Sequence, residues 1–334
     1  MGSVAEKQAG IVAIRSYLPE GVVDNQVLAA SLQGWTAEQI HAKTGILTRH
    51  WATEDECASD LAVKAAQRLF AGHLCNPEDI DILMVCTQSP DYLLPATACL
   101  VHGRLGLRTE CLAFDFNLGC AGYVYGLAIA KSLLERGLGS RALLITADTY
   151  SKFLDTGDRN ATLFGDAAAA SLIACGEGAD GGAPGIGPFV FGTDGSGATD
   201  LMAPGSACRR MAADGSSTAK FFMDGPKVLA FTLRRVPEAV EALLSRAGLT
   251  LHDVDLFVMH QANRFILDNL QRKLGIPREK FTIAMEQTGN TVSSSIPLAL
   301  EAEAAQGRLR PGSRVMLVGF GVGYSWAACL VTWR

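Results

Sequence analysis

Several things are missing from this sequence, and each absence excludes a class of protein. No apolar run approaches the ~18 residues of a membrane-spanning helix. None follows the polar start Met1-Gly-Ser-Val-Ala-Glu-Lys-Gln8 either. The expectation is therefore no signal peptide and no membrane partner, and Glu6 breaks the pattern for N-terminal acylation. Nine cysteines are scattered without one Cys-x-x-Cys pair, which argues against a disulfide framework and a zinc ribbon and points to a reducing cytoplasm. The six histidines show no metal-ligand spacing, so no metal is expected. Walker, Gly-x-Gly-x-x-Gly and Gly-x-Ser-x-Gly signatures are all absent, so nucleotide-cofactor and serine-hydrolase readings have no support. A net charge of −5 carries no signature of a nucleic-acid partner.

What is present is a soluble globular balance, 49% hydrophobic and 19% charged over 334 residues, with ample material for a large core. The most informative stretch is Asp115-Phe-Asn-Leu-Gly-Cys120-Ala-Gly. Leu112 to Phe116 reads as a short apolar strand, and Ala121 to Arg136 as a helix closed by Gly137 and Gly139. Cys120 thus falls where a buried strand meets a helix N-terminus, and unpaired N–H groups and the helix dipole there favour a thiolate. Gly119 and Gly122 are expected to leave the sulfur open to substrate.

The rest of the chain alternates apolar strands with helices. Strands are expected at Gly10–Ser16, Ile82–Cys86 and Leu256–Met259, and residues 24–42 read as helical. An amphipathic helix spans Ser59–Leu74 with Ser59 as its N-cap, and further helices cover Pro95–Leu105 and Pro297–Gln306. That alternation predicts an α/β fold with layered sheets. Two landmarks recur at an offset of roughly 173 residues: Asp79-Ile-Asp81 with Asp253-Val-Asp255, and Gly139-Ser-Arg141 with Gly312-Ser-Arg314. Matched spacing of this kind indicates a duplicated unit. The halves are expected at residues 1–178 and 186–334, linked through the Gly-rich stretch Gly176–Gly187, with Gly192–Ser217 as a loop excursion.

In this arrangement His260 follows a strand, where α/β folds place catalytic groups. Asn290 precedes the second-half counterpart of the Cys120 helix. Cys120, His260 and Asn290 are then expected to converge near the pseudo-symmetry axis. The motifs Gly119-Cys120-Ala-Gly, Asp158-Arg159 with Phe164-Gly-Asp166-Ala, His260-Gln-Ala-Asn263, Gly289-Asn290-Thr291 and Phe320-Gly-Val-Gly-Tyr-Ser-Trp326 together resemble the β-ketoacyl-acyl-carrier-protein synthase III family of the thiolase superfamily. The resemblance covers essentially the whole chain.

It implies a thiolase-like fold, two pseudo-symmetric halves in an α-β-α-β-α sandwich. It also implies an acyl-primed, decarboxylating condensation with malonyl-acyl carrier protein in fatty acid or specialised lipid biosynthesis. Cys120 would carry the acyl group. Its backbone N–H and one within Gly321-Val322-Gly323 would hold the oxyanion, and His260 and Asn290 would stabilise the enolate. No cofactor is implied beyond coenzyme A or phosphopantetheine thioesters as substrates, and a homodimer is implied. Asn263 would meet the pantetheine arm, Arg159 the adenine, and Thr44 the substrate. Arg264, Arg272 and Lys273 would dock the carrier protein.

The chain departs from the family pattern in three places. Ile40 stands where an adenine-stacking Trp is common, with Trp35 five residues earlier. Leu94 replaces a Phe that gates the partner subunit's acyl pocket, and Phe265 replaces a docking Arg. Acyl-CoA and acyl-acyl carrier protein both remain open as primer donors. Two further readings remain: acyl transfer to an alcohol, an amine or another non-malonyl acceptor, and a non-catalytic partner subunit of a synthase complex.

Overall fold

The computed structural model describes residues 8–176, 185–208 and 221–333. The first half runs β1 (Gln8–Tyr17), β2 (Gly21–Asp24), α1 (Asn25–Ser31), α2 (Ala37–Thr44), β3 (Thr48–Trp51), α3 (Ala58–Ala71), β4 (Ile82–Cys86), α4 (Thr97–Leu105), β5 (Leu112–Phe116), α5 (Gly122–Glu135), β6 (Arg141–Asp148) and β7 (Ala167–Gly176). The second half runs β8 (Ile186–Thr193), β9 (Leu201–Met202), β10 (Phe222–Met223), α6 (Gly225–Ala247), β11 (Leu256–Met259), α7 (Arg264–Leu274), α8 (Ser295–Ala305), β12 (Arg314–Gly321) and β13 (Ser325–Thr332). Most of the expected link, residues 177–184, and part of the expected loop excursion, from residue 209 on, lie outside the described residues.

Two mixed sheets form the frame, one in the order β1-β7-β6-β4-β5 and the other β11-β12-β13-β8. Their inner strands are largely buried because both faces are covered, and β4 is buried on every residue. Along β4, Ile82 and Met84 pack inward with Tyr123, Val124 and Leu127 of α5 and Ile296 and Leu300 of α8. Leu83 and Val85 face the other way, against Leu61 and Leu69 of α3 and Val101 of α4. The second sheet repeats the alternation: Val315 and Leu317 face the central helices, Met316 and Val318 face Leu243 of α6 and Leu267 of α7. The result is a five-layer α-β-α-β-α sandwich.

The duplicated landmarks act as register locks. The Asp81 side chain accepts hydrogen bonds from the Ser140 N–H (2.7 Å), the Ser140 hydroxyl (2.9 Å) and the Arg141 N–H (3.1 Å). Asp255 accepts from the Arg314 N–H at 2.7 Å. In both halves the Asp N–H donates to the paired Arg carbonyl, at 3.0 and 2.9 Å. These bonds fix where the parallel pairs β4–β6 and β11–β12 begin.

Local expectations fail where short-range side-chain chemistry intervenes. The helical reading of residues 24–42 divides into α1 and α2, because Gly34 turns at φ 75° and Thr36 starts a new helix through a reciprocal cap with Gln39. Ser59 is not the N-cap of α3. Cys57 holds that place, with its N–H bonded to Asp60 at 2.7 Å, while the Ser59 hydroxyl is drawn to Asp91 at 2.7 Å. The strand leading to Cys120 is not buried either: β5 is the sheet edge, with Leu112 exposed and Ala113–Phe116 half-buried.

Candidate active site

Strand ends and helix starts converge on one cavity of about 660 Å³, lined by Cys120, His260 and Asn290 together with Arg159, Asn263 and Lys43. Cys120 lies just before α5, at its expected place. The second half closes over it through glycines. A Cβ on Gly321 would lie 2.8 Å from the Cys120 sulfur, and one on Gly319 would lie 2.7 Å from the Ala121 Cα. Gly119 and Gly122 play a different part from the expected one. Their vacant Cβ positions are filled by protein, Gln88 Oε1 and Val322 at Gly119 and the Cys86 sulfur at Gly122. They permit packing around the nucleophile rather than access to it.

The thiolate expectation is corrected as well. Burial pushes the Cys120 thiol up to about 12, while the Val322 and Cys120 N–H groups pull it the other way. The N–H groups act in the expected direction, but desolvation of a charged sulfur outweighs them. Cys120 rests as a thiol.

His260 directly follows β11, and its N–H donates to the Val318 carbonyl at 2.8 Å. Its ring is buried against the edge of Phe320, centroids 5.5 Å apart. Nδ1 is 2.7 Å from the Ser295 hydroxyl. Burial pushes its pKa down to about 3, so it is a neutral imidazole at physiological pH.

Asn290 is placed by both halves. Its N–H donates to the Leu163 carbonyl (2.8 Å) and its carbonyl accepts from the Gly165 N–H (3.1 Å). A Cβ on Gly165 would collide with the Thr288 carbonyl at 2.2 Å, which explains the Phe164-Gly165 motif. Asn290 Oδ1 accepts from the Val292 N–H at 2.9 Å, leaving the amide NH2 free to donate. Asn263 is held alike: Oδ1 caps α7 through the Ile266 N–H at 2.8 Å.

The other candidates divide. Arg159 and Phe265 both line the cavity and both are exposed. Thr44 does not reach the cavity, because it is buried with its hydroxyl donating to the Ile40 carbonyl (2.8 Å) and accepting from the Ile46 N–H (3.1 Å). Its observed part is to end α2. Ile40 is wholly buried with Leu28 and Leu32, so nothing stacks there, and Trp35 instead carries the Lys43 ammonium 4.7 Å from its ring centroid. Val322 reaches the nucleophile through its backbone, and Gly323 follows it one residue further from the cavity. Leu94 is 87% exposed beside exposed Tyr92 and Leu93. Arg264, Arg272 and Lys273 are exposed on α7, bonded to Asp268, Asn269 and the Leu233 carbonyl.

Sequence reasoning missed Lys43, Ser295 and Asp148. Asp148 is buried at the end of β6 and accepts from the Gln88 N–H (2.8 Å) and the Ser293 hydroxyl, so it ties the Asn290 loop to the first sheet. A lone acid ending an apolar strand was its visible signal. The acidic group Cys57, Asp60 and Asp91 lies near α3, away from this cavity, and is engaged by Arg104 and Ser59.

Comparison with known proteins agrees with this geometry. Residues 114–195 match the model of 3-oxoacyl-acyl-carrier-protein synthase III, and residues 244–333 match its C-terminal model. The chain is 39% identical over 327 residues to beta-ketoacyl-acyl-carrier-protein synthase III 3 of Streptomyces coelicolor, covering 97% of this chain and 96% of that protein. A crystal structure of a 3-oxoacyl-acyl-carrier-protein synthase III superimposes with TM-score 0.94 at 47% identity, covering 98% of this chain and all of that one. The synthase III of Thermus thermophilus gives TM-score 0.89 at 40% identity, over 97% and 99% of the two chains.

Proposed function

Because the chain belongs to the β-ketoacyl-acyl-carrier-protein synthase III family, whose members condense an acyl primer with malonyl-acyl carrier protein in fatty acid biosynthesis, we propose that it does so through an acyl-Cys120 intermediate. The carrying observation is that Cys120, His260 and Asn290 line one cavity. The Cys120 sulfur attacks the primer thioester, the C–S bond to the donor thiol breaks, and the thiol proton leaves with the departing group. The oxyanion of that step sits against the Cys120 and Val322 N–H groups. Malonyl thioester then loses CO2. The electron pair moves onto its thioester oxygen, where two neutral donors, a His260 ring N–H and the Asn290 NH2, stabilise it. The enolate carbon attacks acyl-Cys120, a C–C bond forms, and the sulfur is released to take up a proton. Transfer of the acyl group from the primer thioester to Cys120 makes the enzyme an acyltransferase.

The primer's pantetheine arm enters past Asn263 and Phe265, with Arg159 and Lys43 at the mouth for phosphate groups. Arg264, Arg272 and Lys273 on α7 present positive charge to an acidic carrier protein beside that mouth. We read the halves as residues 1–178 and 186–334, and the assembly as a homodimer through the half-exposed β5 and the Tyr92–Leu94 loop. Sedimentation showing only monomer at micromolar concentration would remove that assembly. Described helices include none long and apolar enough to cross a membrane, and free cysteines suit a reducing compartment such as the cytoplasm.

Intact-protein mass spectrometry tests the reading. An acyl mass should appear on Cys120 and discharge as a β-ketoacyl product when malonyl-acyl carrier protein is added. A Cys120→Ala protein that still condenses the two thioesters would falsify it.

A further inference from the structure

Beside Cys120 lies a second cavity of about 240 Å³. Tyr150, Leu201 and Phe221 line both it and the first cavity, and so form the wall between them. The ring of Tyr150 is fixed in this wall by Phe153, Phe164 and Phe221, with centroids 5.3–5.9 Å away. Its hydroxyl donates to Gln88 Oε1 at 2.6 Å. Gln88 in turn donates from Nε2 to Asn117 Oδ1 at 3.2 Å. The Gln88 carboxamide lies against Gly119, where any side chain would strike it at 2.4 Å. A polar chain of Tyr150, Gln88 and Asn117 thus runs directly beside the nucleophile.

Counting hydrogen-bond capacity shows what that chain offers. An amide NH2 has two N–H groups. Gln88 uses one on Asn117, and Asn117 uses only its oxygen, so among the described residues one N–H of Gln88 and both of Asn117 have no protein acceptor. The second cavity therefore presents amide donors in a mixed lining that includes Ser206 beside the apolar Met202, Phe153 and Val322. An alkyl chain placed there would displace water from these donors without replacing its bonds.

We propose that the second cavity receives the end of the acyl tail, past the Tyr150 wall, and that Gln88 is a specificity-determining residue for the primer there: with Asn117 it presents N–H donors, and it favours a tail carrying an oxygen acceptor over a plain alkyl tail of the same length. The inference rests on the acyl-Cys120 reading and deepens it. Tyr150 is a positioning residue, because its hydroxyl holds the Gln88 oxygen and so turns the NH2 toward the cavity.

The experiment offers pentanoyl and levulinoyl thioesters, of equal chain length, in competition to the full-length protein, each as the CoA and as the carrier-protein thioester. The ratio of the two acyl masses on Cys120 is the readout. Wild type should take the keto acyl group roughly fivefold faster, the scale set by one net hydrogen bond to a neutral donor. Gln88→Leu should lower the ratio, Gln88→Leu with Asn117→Leu should bring it near unity, and Tyr150→Phe should lower it partway. Gln88→Glu, which keeps the size but replaces the donor with a charged acceptor, should reverse it and serves if the Leu variant fails to fold. A wild-type ratio near unity, or one that persists in both Gln88 variants, overturns the proposal. Absence of any acyl mass on Cys120 with either carrier is a different failure: it removes the acyl-enzyme reading, and this inference with it.

Discussion

The first sheet and the second share a topology but end differently. In the first, β4 is flanked by β5 along five residue pairs, Ile82–Leu112 to Cys86–Phe116. In the second, among the described residues, β11 has a single bridge on that side, Phe257 to Phe281. The extra edge strand delivers the nucleophile, since Cys120 lies four residues beyond Phe116. The half without it delivers the two neutral donors, His260 and Asn290. On the proposed mechanism the two frames are divided, one supplying the attacking atom and the other the charge stabilisation.

Separating the two functions by mutation is the strongest way to break this comparison. Cys120→Ala should abolish the acyl-enzyme, as read by mass spectrometry. His260→Ala and Asn290→Ala should still acylate but condense several hundredfold more slowly, the ~3–4 kcal/mol scale of a lost oxyanion donor. If either second-half variant lost acylation to the same degree, the division would be false.

The pH dependence sharpens it further. The Cys120 thiol is pushed up to about 12, so the thiolate fraction rises with pH across neutrality, and primer acylation should rise with it from about pH 6 to about pH 9. His260 is pushed down to about 3, so it stays neutral over that range. Discharge of preformed acyl-enzyme by malonyl-acyl carrier protein should be nearly flat. Stopped-time mass spectrometry of the two half-reactions separates them, and parallel pH profiles would count against the split.

The register locks give a smaller contrast. Asp81 accepts three bonds in its lock and Asp255 one. At roughly 1 kcal/mol net for each bond, Asp81→Ala should cost about 2–3 kcal/mol and Asp255→Ala about 1, by denaturant unfolding. Equal losses would mean that the locks do not act through these bonds. Smallest of all, Thr44→Val should leave acylation unchanged and lower stability by about 1 kcal/mol, because its hydroxyl serves only α2 and Ile46.

How far the sequence revealed this follows from the range of the interactions involved. Strands β4 and β5 were legible to the residue, because burial on both faces or a sharp strand-to-helix change marks their ends. The repeated Asp-x-Asp and Gly-Ser-Arg pairs were legible as landmarks, though not as hydrogen-bonded locks. That Cys120, His260 and Asn290 would converge was legible from strand–helix junctions and motifs, and they line one cavity. What could not be read was set by contacts across more than a hundred residues: Gln88 filling the space at Gly119, Ser295 on His260, Asp148 reaching Ser293. The break between α1 and α2 was missed for the opposite reason, since a purely local cap overrode the general helical pattern. The ionisation of Cys120 was misjudged because the dipole is visible in sequence and burial is not.

The pairing of β1 with β7 joins Gln8 to Gly176, and β8 joins β13 in the same fashion, Ile186 to Val331. Each sheet is therefore closed by the first and last strands of its own half. On the ribosome, at roughly 5–20 residues per second, β1 waits on the order of ten seconds or more for its partner. Neither sheet can be completed early, so the nascent chain carries an unpaired apolar strand through most of the synthesis of each half. Deleting β7 or β13 should then convert a slow but productive wait into aggregation. A truncation series made in vitro would place the onset of protease resistance just past residue 176.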